Sequence, residues 1–220
     1  MPSFAIRVLD NGELFPVEEP LRWHTDNGSF WTRVKEVSAQ AVAIDGPCGT
    51  VGHKLREDRS GWSLASDDSK RPAEIEVNRE GVNLFWTTRN SLENFDGASR
   101  WIARSLVLFE ESTAIPKIET HPHGVFLLIH RALGLTDPLP KKNVAQGRSA
   151  RFEILRALIP KLDPNTVPNH DALDAACAAL MAALHQGGLS KGYGEESLGG
   201  KIWLPDVEHL RVRFNARLFA

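Results

Sequence analysis

Ala41-Val42-Ala43-Ile44-Asp45-Gly46-Pro47-Cys48-Gly49 is the stretch on which the reading of this fold turns. Four apolar residues in a row suit a strand buried in an α/β sheet, and Gly46-Pro47 stops it directly behind a carboxylate. Open α/β sheets build their sites outside the carboxyl ends of their strands, so Asp45 is the first candidate functional residue. The same order of strand, acid and helix returns in Pro116-Lys117-Ile118-Glu119. There Pro122 opens a helix carrying Val125, Phe126, Leu128, Ile129 and Leu133 as far as Gly134. Glu119 is the second candidate.

Working outward, Phe4 to Asp10 and Glu13 to Glu19 flank Asn11-Gly12, a hairpin signal. A first helix is expected from the Asp26-Asn27-Gly28-Ser29 cap region through Val37. Further helices are expected over Pro72 to Arg79, Ser99 to Glu110, Arg148 to Leu158 and Asp171 to His185. Residues 50–72 are polar and rich in Gly, Ser and Asp, and read as an irregular surface excursion. Lys201 to Pro205 reads as a late edge strand and Leu210 to Phe214 as a further strand, within a C-terminal extension at 206–220. One domain spanning 1–220 is expected, because this length and 42% hydrophobic content supply a single sizeable core.

The helix entry Asn169-His170-Asp171-Ala172-Leu173-Asp174 holds two carboxylates three positions apart, on one helical face. Asp171 in a first turn is favoured by the helix dipole, so one reading is a capped and solvated pair. The other is a divalent-cation site shared with Asp45 and Glu119, whose oxygen-only ligands suit Mg2+ or Mn2+.

A net charge of −2 and a pI near 6.5 leave no global pull toward polyanions, so any phosphate site must be local. Lys141, Lys142, Arg148, Arg151, Arg156 and Lys161 form the densest basic run, with Glu153 the one acid among them; Lys142, Arg148 and Arg151 are the substrate-binding candidates. A solvated helix face explains the same run without a ligand. Trp62, Phe85, Trp86 and Trp101 are candidates for base stacking or for closing a core. The apolar runs fall well short of the ~20 residues of a membrane span, and a cytoplasmic location is expected. Cys48 and Cys177 show no zinc or disulfide spacing, so both are expected as free thiols; Cys48 follows a strand end, where nucleophiles occur, and Cys177 belongs to packing. Glu119, His121 and His123 alternate, which on a strand would offer one metal set, but Pro122 breaks the alternation and favours a helix entry. Glu195, in the glycine-framed stretch Tyr193-Gly194-Glu195-Glu196, reads as part of an acidic loop and is a further ligand candidate.

The motifs occur in one order. Ala43 to Gly49, Arg71 to Glu76 leading into Arg79-Glu80-Gly81-Val82, Ile118 to His123, Asp171 to Ala175, Tyr193 to Glu195 and Gly200 to Pro205 together resemble an uncharacterised family labelled predicted nucleases of ribonuclease-H-like fold. The resemblance runs to about Pro205. It implies a ribonuclease-H-like α/β fold, a mixed sheet flanked by helices, with Asp45, Glu119, Asp171 and Asp174 as ligands for metal-dependent phosphodiester hydrolysis. That metal is expected to be Mg2+ or Mn2+, and nucleic acid is the implied partner. One departure stands out: members resemble one another in opening with a central strand that ends in an acid, whereas Met1-Pro2-Ser3-Phe4 starts at what reads as the second strand. Asp10 substitutes if Phe4 to Asp10 is that first strand, although it also begins the hairpin turn. Three readings follow: a metal-dependent nuclease, a non-catalytic ribonuclease-H-like binding or assembly module, and a sugar-kinase-like phosphotransferase. The absence of paired glycine-rich phosphate loops argues against the third. A homodimer is one way in which a sheet without its central strand would be completed.

Overall fold

The computed structural model describes residues 1–9, 11–17, 21–49, 71–87 and 100–218; the side chains of residues 100, 103 and 213–218 are left aside. Asp10, Trp62 and all but the last two residues of the 50–72 excursion lie outside the described residues. The chain is a mixed α/β structure. It opens with four short strands, β1 (Pro2–Ser3), β2 (Ile6–Val8), β3 (Leu14–Pro16) and β4 (Arg22–Trp23). These pair as two antiparallel ribbons, β1 with β4 and β2 with β3, and Asn11-Gly12 turns the second ribbon as its sequence indicates.

Helix α1 (Asn27–Glu36) follows, started by the Asp26 carboxylate, which accepts the Ser29 N–H at 2.7 Å. Strand β5 (Val42–Asp45) leads out of it, then α2 (Pro72–Arg79), α3 (Arg100–Glu110), β6 (Lys117–Thr120), α4 (Pro122–Ala132), α5 (Ala145–Leu158), α6 (His170–Gln186), β7 (Ser190–Glu195), β8 (Gly200–Pro205) and α7 (Val207–Leu218). The main sheet has the order β5-β6-β8-β7. Its first three strands are parallel, and β7 lies antiparallel to β8.

Helices flank this sheet. Val42 and Ile44 turn toward Phe30, Val34 and Leu108, whereas Ala43 packs with the larger core of Phe126, Ile129, Leu155, Leu173, Leu180 and Ile202. Each of these large side chains is nearly or fully buried, a contribution of roughly 1.5–3 kcal/mol apiece. Among the described residues no helix is long and apolar enough to cross a membrane.

Three expectations change. The strand over Lys201 to Pro205 is interior to the sheet, because the glycine-framed stretch expected as a loop is strand β7 and takes the edge. Glycine is required there: a Cβ on Gly194 would stand 2.6 Å from Ala73 of α2, and one on Gly192 would meet the Trp203 ring at 3.2 Å. Leu210 to Phe214 is helix, not strand. The Asp206 carboxylate accepts the Glu208 and His209 N–H groups and starts α7, which overrides the period-two pattern of Leu210, Val212 and Phe214.

Candidate functional site

The register between β5 and β6 decides which acids meet. Ile44 lies opposite Glu119 and Asp45 opposite Thr120. Residues opposite each other share a face and successive residues alternate, so Asp45 and Glu119 turn to opposite faces of the sheet.

Glu119 enters a closed ion cluster. Arg71, at the entry to α2, donates Nη2 to Glu119 Oε1 at 2.6 Å and Nη1 to Oε2 at 2.7 Å, and its Nε donates to Glu74 Oε1 at 2.9 Å. Arg71 also donates to the Gly199 carbonyl, Cys48 N–H donates to Glu119, and Thr87 N–H donates to Glu74. Arg71, Glu74 and Glu119 are 2%, 0% and 4% exposed, so this bidentate fork ties α2, β6 and the loop behind β5 inside the protein. Burial opposes the Arg71 charge, but Glu119 and then Glu74 outweigh it and hold the guanidinium protonated.

Asp45 lines a cleft of about 2150 Å³, whose border Arg71 and Glu119 also reach from the other face of the sheet. Its strand can turn there because Gly46 has φ +151°, and a Cβ on Gly46 would stand 2.6 Å from Ser105 Oγ, which itself donates to the Pro47 carbonyl. On the far side, α6 starts from Asn169, whose side chain accepts the Ala172 N–H. This leaves Asp171 half-exposed beside His170 and sets Asp174 one turn deeper, 8% exposed. Lys142 Nζ reaches Asp174 Oδ2 at 2.7 Å. The loop carrying Lys142 closes over α5 at Gly147, where any Cβ would collide with the Lys141 carbonyl.

Asp45, Asp171 and Asp174 therefore line one cleft with Lys142. Water reaches the Asp45 carboxylate, but protein surrounds it; this poor solvation, followed by the charge of Asp174, pushes its pKa up to about 7. Lys142 pulls the other way, and Glu119 and Asp171 add smaller repulsions. Lys142 is in turn held protonated: burial opposes its charge, and the hydrogen bond and charge of Asp174 more than compensate.

The remaining candidates disperse. Arg151 is 2% exposed, donates to the Pro140 and Gly147 carbonyls, lies over the Phe126 ring and leaves its Nε without a partner at the cleft border. Arg148 does not border the cleft, Arg156 pairs with Glu153, and Lys161 lies over Phe15. His121 caps α4, and its ring nitrogen meets the Asn83 carbonyl; burial lowers its pKa to about 4. His123 begins α4, so Pro122 does break the alternation with Glu119. Burial, then Glu119, push the Cys48 thiol up, away from the thiolate a nucleophile needs. Cys177 is buried against the Pro122 carbonyl. Glu195 ends β7, exposed. Phe85 and Trp101, both exposed, meet edge to face at the cleft border. Sequence reasoning missed the part of Arg71; its signal was an arginine set directly before a helix-opening proline, with Glu74 one turn on.

The chain belongs to the family described as protein of unknown function (DUF429). The match covers residues 18–197, so β5, Arg71, Glu119, Lys142 and the α6 acids all fall within the DUF429 region. No curated protein and no solved structure matches the chain. Among the described residues of this DUF429 member, no three of His, Cys, Asp and Glu are grouped as a ready-made metal cage.

Proposed function

We propose that this chain is a divalent-metal-dependent phosphodiester hydrolase, a nuclease on a ribonuclease-H-like scaffold. The observation that carries the reading is Asp45. A strand-end carboxylate, poorly solvated and beside Asp174, has its pKa raised to about 7, with Lys142 pulling the other way. The donor set fits the metal, since Mg2+ is commonly held by one or two carboxylates with water and substrate phosphate completing its shell, without a protein cage. Asp45 and Asp174 are the residues that would hold it, with Asp171 at the rim. A bound ion of this kind supplies charge stabilisation for a phosphoryl oxygen and an activated water.

The chain's own groups supply the rest. Lys142, with Lys141 and Arg151 beside it, faces the charge of a phosphodiester, and the exposed Phe85 and Trp101 rings offer stacking for bases. Glu119 supports the site from behind, through Arg71 and Cys48.

Mg2+ and Mn2+ titration calorimetry on the chain and on Asp45→Asn and Asp174→Asn tests the reading, together with cleavage assays on single- and double-stranded DNA and RNA. Metal binding and metal-dependent cleavage, both lost in the two variants, are expected. One observation favours a second reading, a binding module without turnover: Glu119 has both oxygens engaged by Arg71, which leaves fewer carboxylates for metal. Salt-sensitive binding of nucleic acid with no millimolar-range metal affinity and no cleavage would establish that module instead.

A further inference from the structure

One buried charge at the cleft has no counter-ion. Arg151 stands in the middle of α5, borders the cleft and is only 2% exposed. Its Nη1 donates to the Pro140 carbonyl at 2.7 Å and to the Gly147 carbonyl at 3.0 Å. Its Nε is buried without a partner, and Nη2, on the same edge of the guanidinium, makes no hydrogen bond among the described residues. No carboxylate among them pairs with it either. Buried charges are ordinarily paired, and a buried donor left open calls for an explanation. Burial lowers the Arg151 pKa, and the field of Asp174 compensates only in part, because the Asp174 carboxylate is bonded to Lys142.

The groups around that open edge favour an anion. His123 begins α4 and lines the same cleft, and burial, then Arg151, lower its pKa; Asp174 and Lys142 act on it as well, which places the four groups in one neighbourhood. Helix α4 is 11 residues long, and its cap residue His121 makes no side-chain bond to the first turn, so the positive end of the helix adds to the field. Lys142 is matched by Asp174 at 2.7 Å, whereas Arg151 is matched by nothing. One unmatched charge and one two-donor edge fit a monoanion with two equivalent oxygens. A phosphate monoester brings roughly −1.5 to −2, more than this edge answers. A phosphodiester brings one charge on two non-bridging oxygens, and the cleft of about 2150 Å³ leaves room for both of its ester arms.

We propose that Arg151 anchors a phosphodiester subsite that fills without metal. Nε and Nη2 take the two non-bridging oxygens, and Lys142 and the entry of α4 stand beside them. The choice of a phosphodiester over a carboxylate, which fits the same edge, rests on the nuclease reading; the subsite itself does not, so it is tested in chelator.

The probe is dimethyl phosphate, titrated into the full chain and followed by NMR at the Arg151 Nε–H and at the His123 and Gly124 amides. The Nε–H signal is expected to move downfield along a saturable curve, with the two amides following the same curve. Arg151→Lys keeps the charge but loses the fork, and should weaken binding by at least about tenfold. Asp174→Asn should tighten it, because a repelling carboxylate is gone and Lys142 is released, although the same variant is expected to lose metal binding. The two readings thus fail separately. An Arg151 Nε–H that does not move overturns the proposal on the parent protein alone, whether or not the lysine variant folds. Equal binding by a folded Arg151→Lys variant overturns it in favour of unspecific charge attraction, and acetate bound as tightly as dimethyl phosphate overturns it in favour of a carboxylate site.

Discussion

Two carboxylates at the same edge of neighbouring strands have met opposite fates. Glu119 on β6 is buried and fully answered: a guanidinium fork takes both oxygens and a backbone N–H joins it. Asp45 on β5 is reached by water and makes no such fork: it shares the cleft with Asp174, whose carboxylate holds Lys142. The cause is one step of register. A one-residue offset sends one acid to the Arg71 face and the other to the α6 face. A satisfied buried ion pair holds structure, and an unsatisfied, solvent-reached acid is free for chemistry.

The largest test of that contrast is Arg71→Met. It strands Glu119 and Glu74 as buried, unpaired charges, and removing one partner of such a cluster costs about 3–5 kcal/mol. Thermal unfolding should show a large fall in midpoint, and Glu119→Gln should follow in the same direction. A variant at position 71 as stable as the parent would show that the cluster is not what ties α2 to the sheet.

Gly46→Ala comes next. It sits where the Asp45 strand turns toward the cleft, at φ +151°, with Ser105 Oγ 2.6 Å from the added Cβ. Overpacking and backbone strain of this kind cost about 1–3 kcal/mol. Asp45 should also be displaced, so loss of any metal binding should accompany the loss of stability. An unchanged urea midpoint would sink this account of the turn.

The sequence made much of this legible. Apolar run, acid and Gly-Pro at Ala41 to Pro47 located β5, Pro122 located α4, and the acids Asp171 and Asp174 one turn apart located the start of α6, whose cap proves to be Asn169. Register was not legible, because a one-residue slip leaves every strand assignment intact while reversing the face on which Glu119 emerges. Lys142 was visible as part of a basic run, yet its partner Asp174 is 32 positions away and only the folded chain brings the two together. At the C-terminal end, period-two hydrophobicity over Leu210 to Phe214 competed with the capping signal of Asp206, and the local hydrogen bonds of the cap won.

Asp45→Asn should act with the opposite sign to the substitutions above. Between the ordinary carboxylate value of 3.8 and about 7, folded Asp45 keeps a proton that the unfolded chain releases. Stability therefore falls as pH rises through that window, and the fall is complete above the folded pKa. The asparagine variant lacks this loss, so its unfolding midpoint should match the parent near pH 4 and exceed it at neutral pH, by an amount that solvent access to the site keeps small. A variant less stable than the parent at pH 7 would mean that the ionised carboxylate is compensated after all.

The smallest effect isolates the lysine. Lys142→Met removes a cation that lowers the Asp45 pKa, so an NMR titration of the Asp45 carboxyl should move its midpoint upward from about 7. Asp174→Asn removes the largest neighbouring charge and should move it downward, even though Lys142 is then released from its 2.7 Å partner. The two shifts together separate a cleft acid governed by its neighbours from one governed by solvation alone. If neither variant moves the midpoint, poor solvation is the whole cause, and Asp45 and Asp174 do not share enough field to hold one ion between them. If they move in opposite directions as stated, Mg2+ should bind more tightly to Lys142→Met than to the parent, because the ammonium and the metal would be competing for the same carboxylate oxygens.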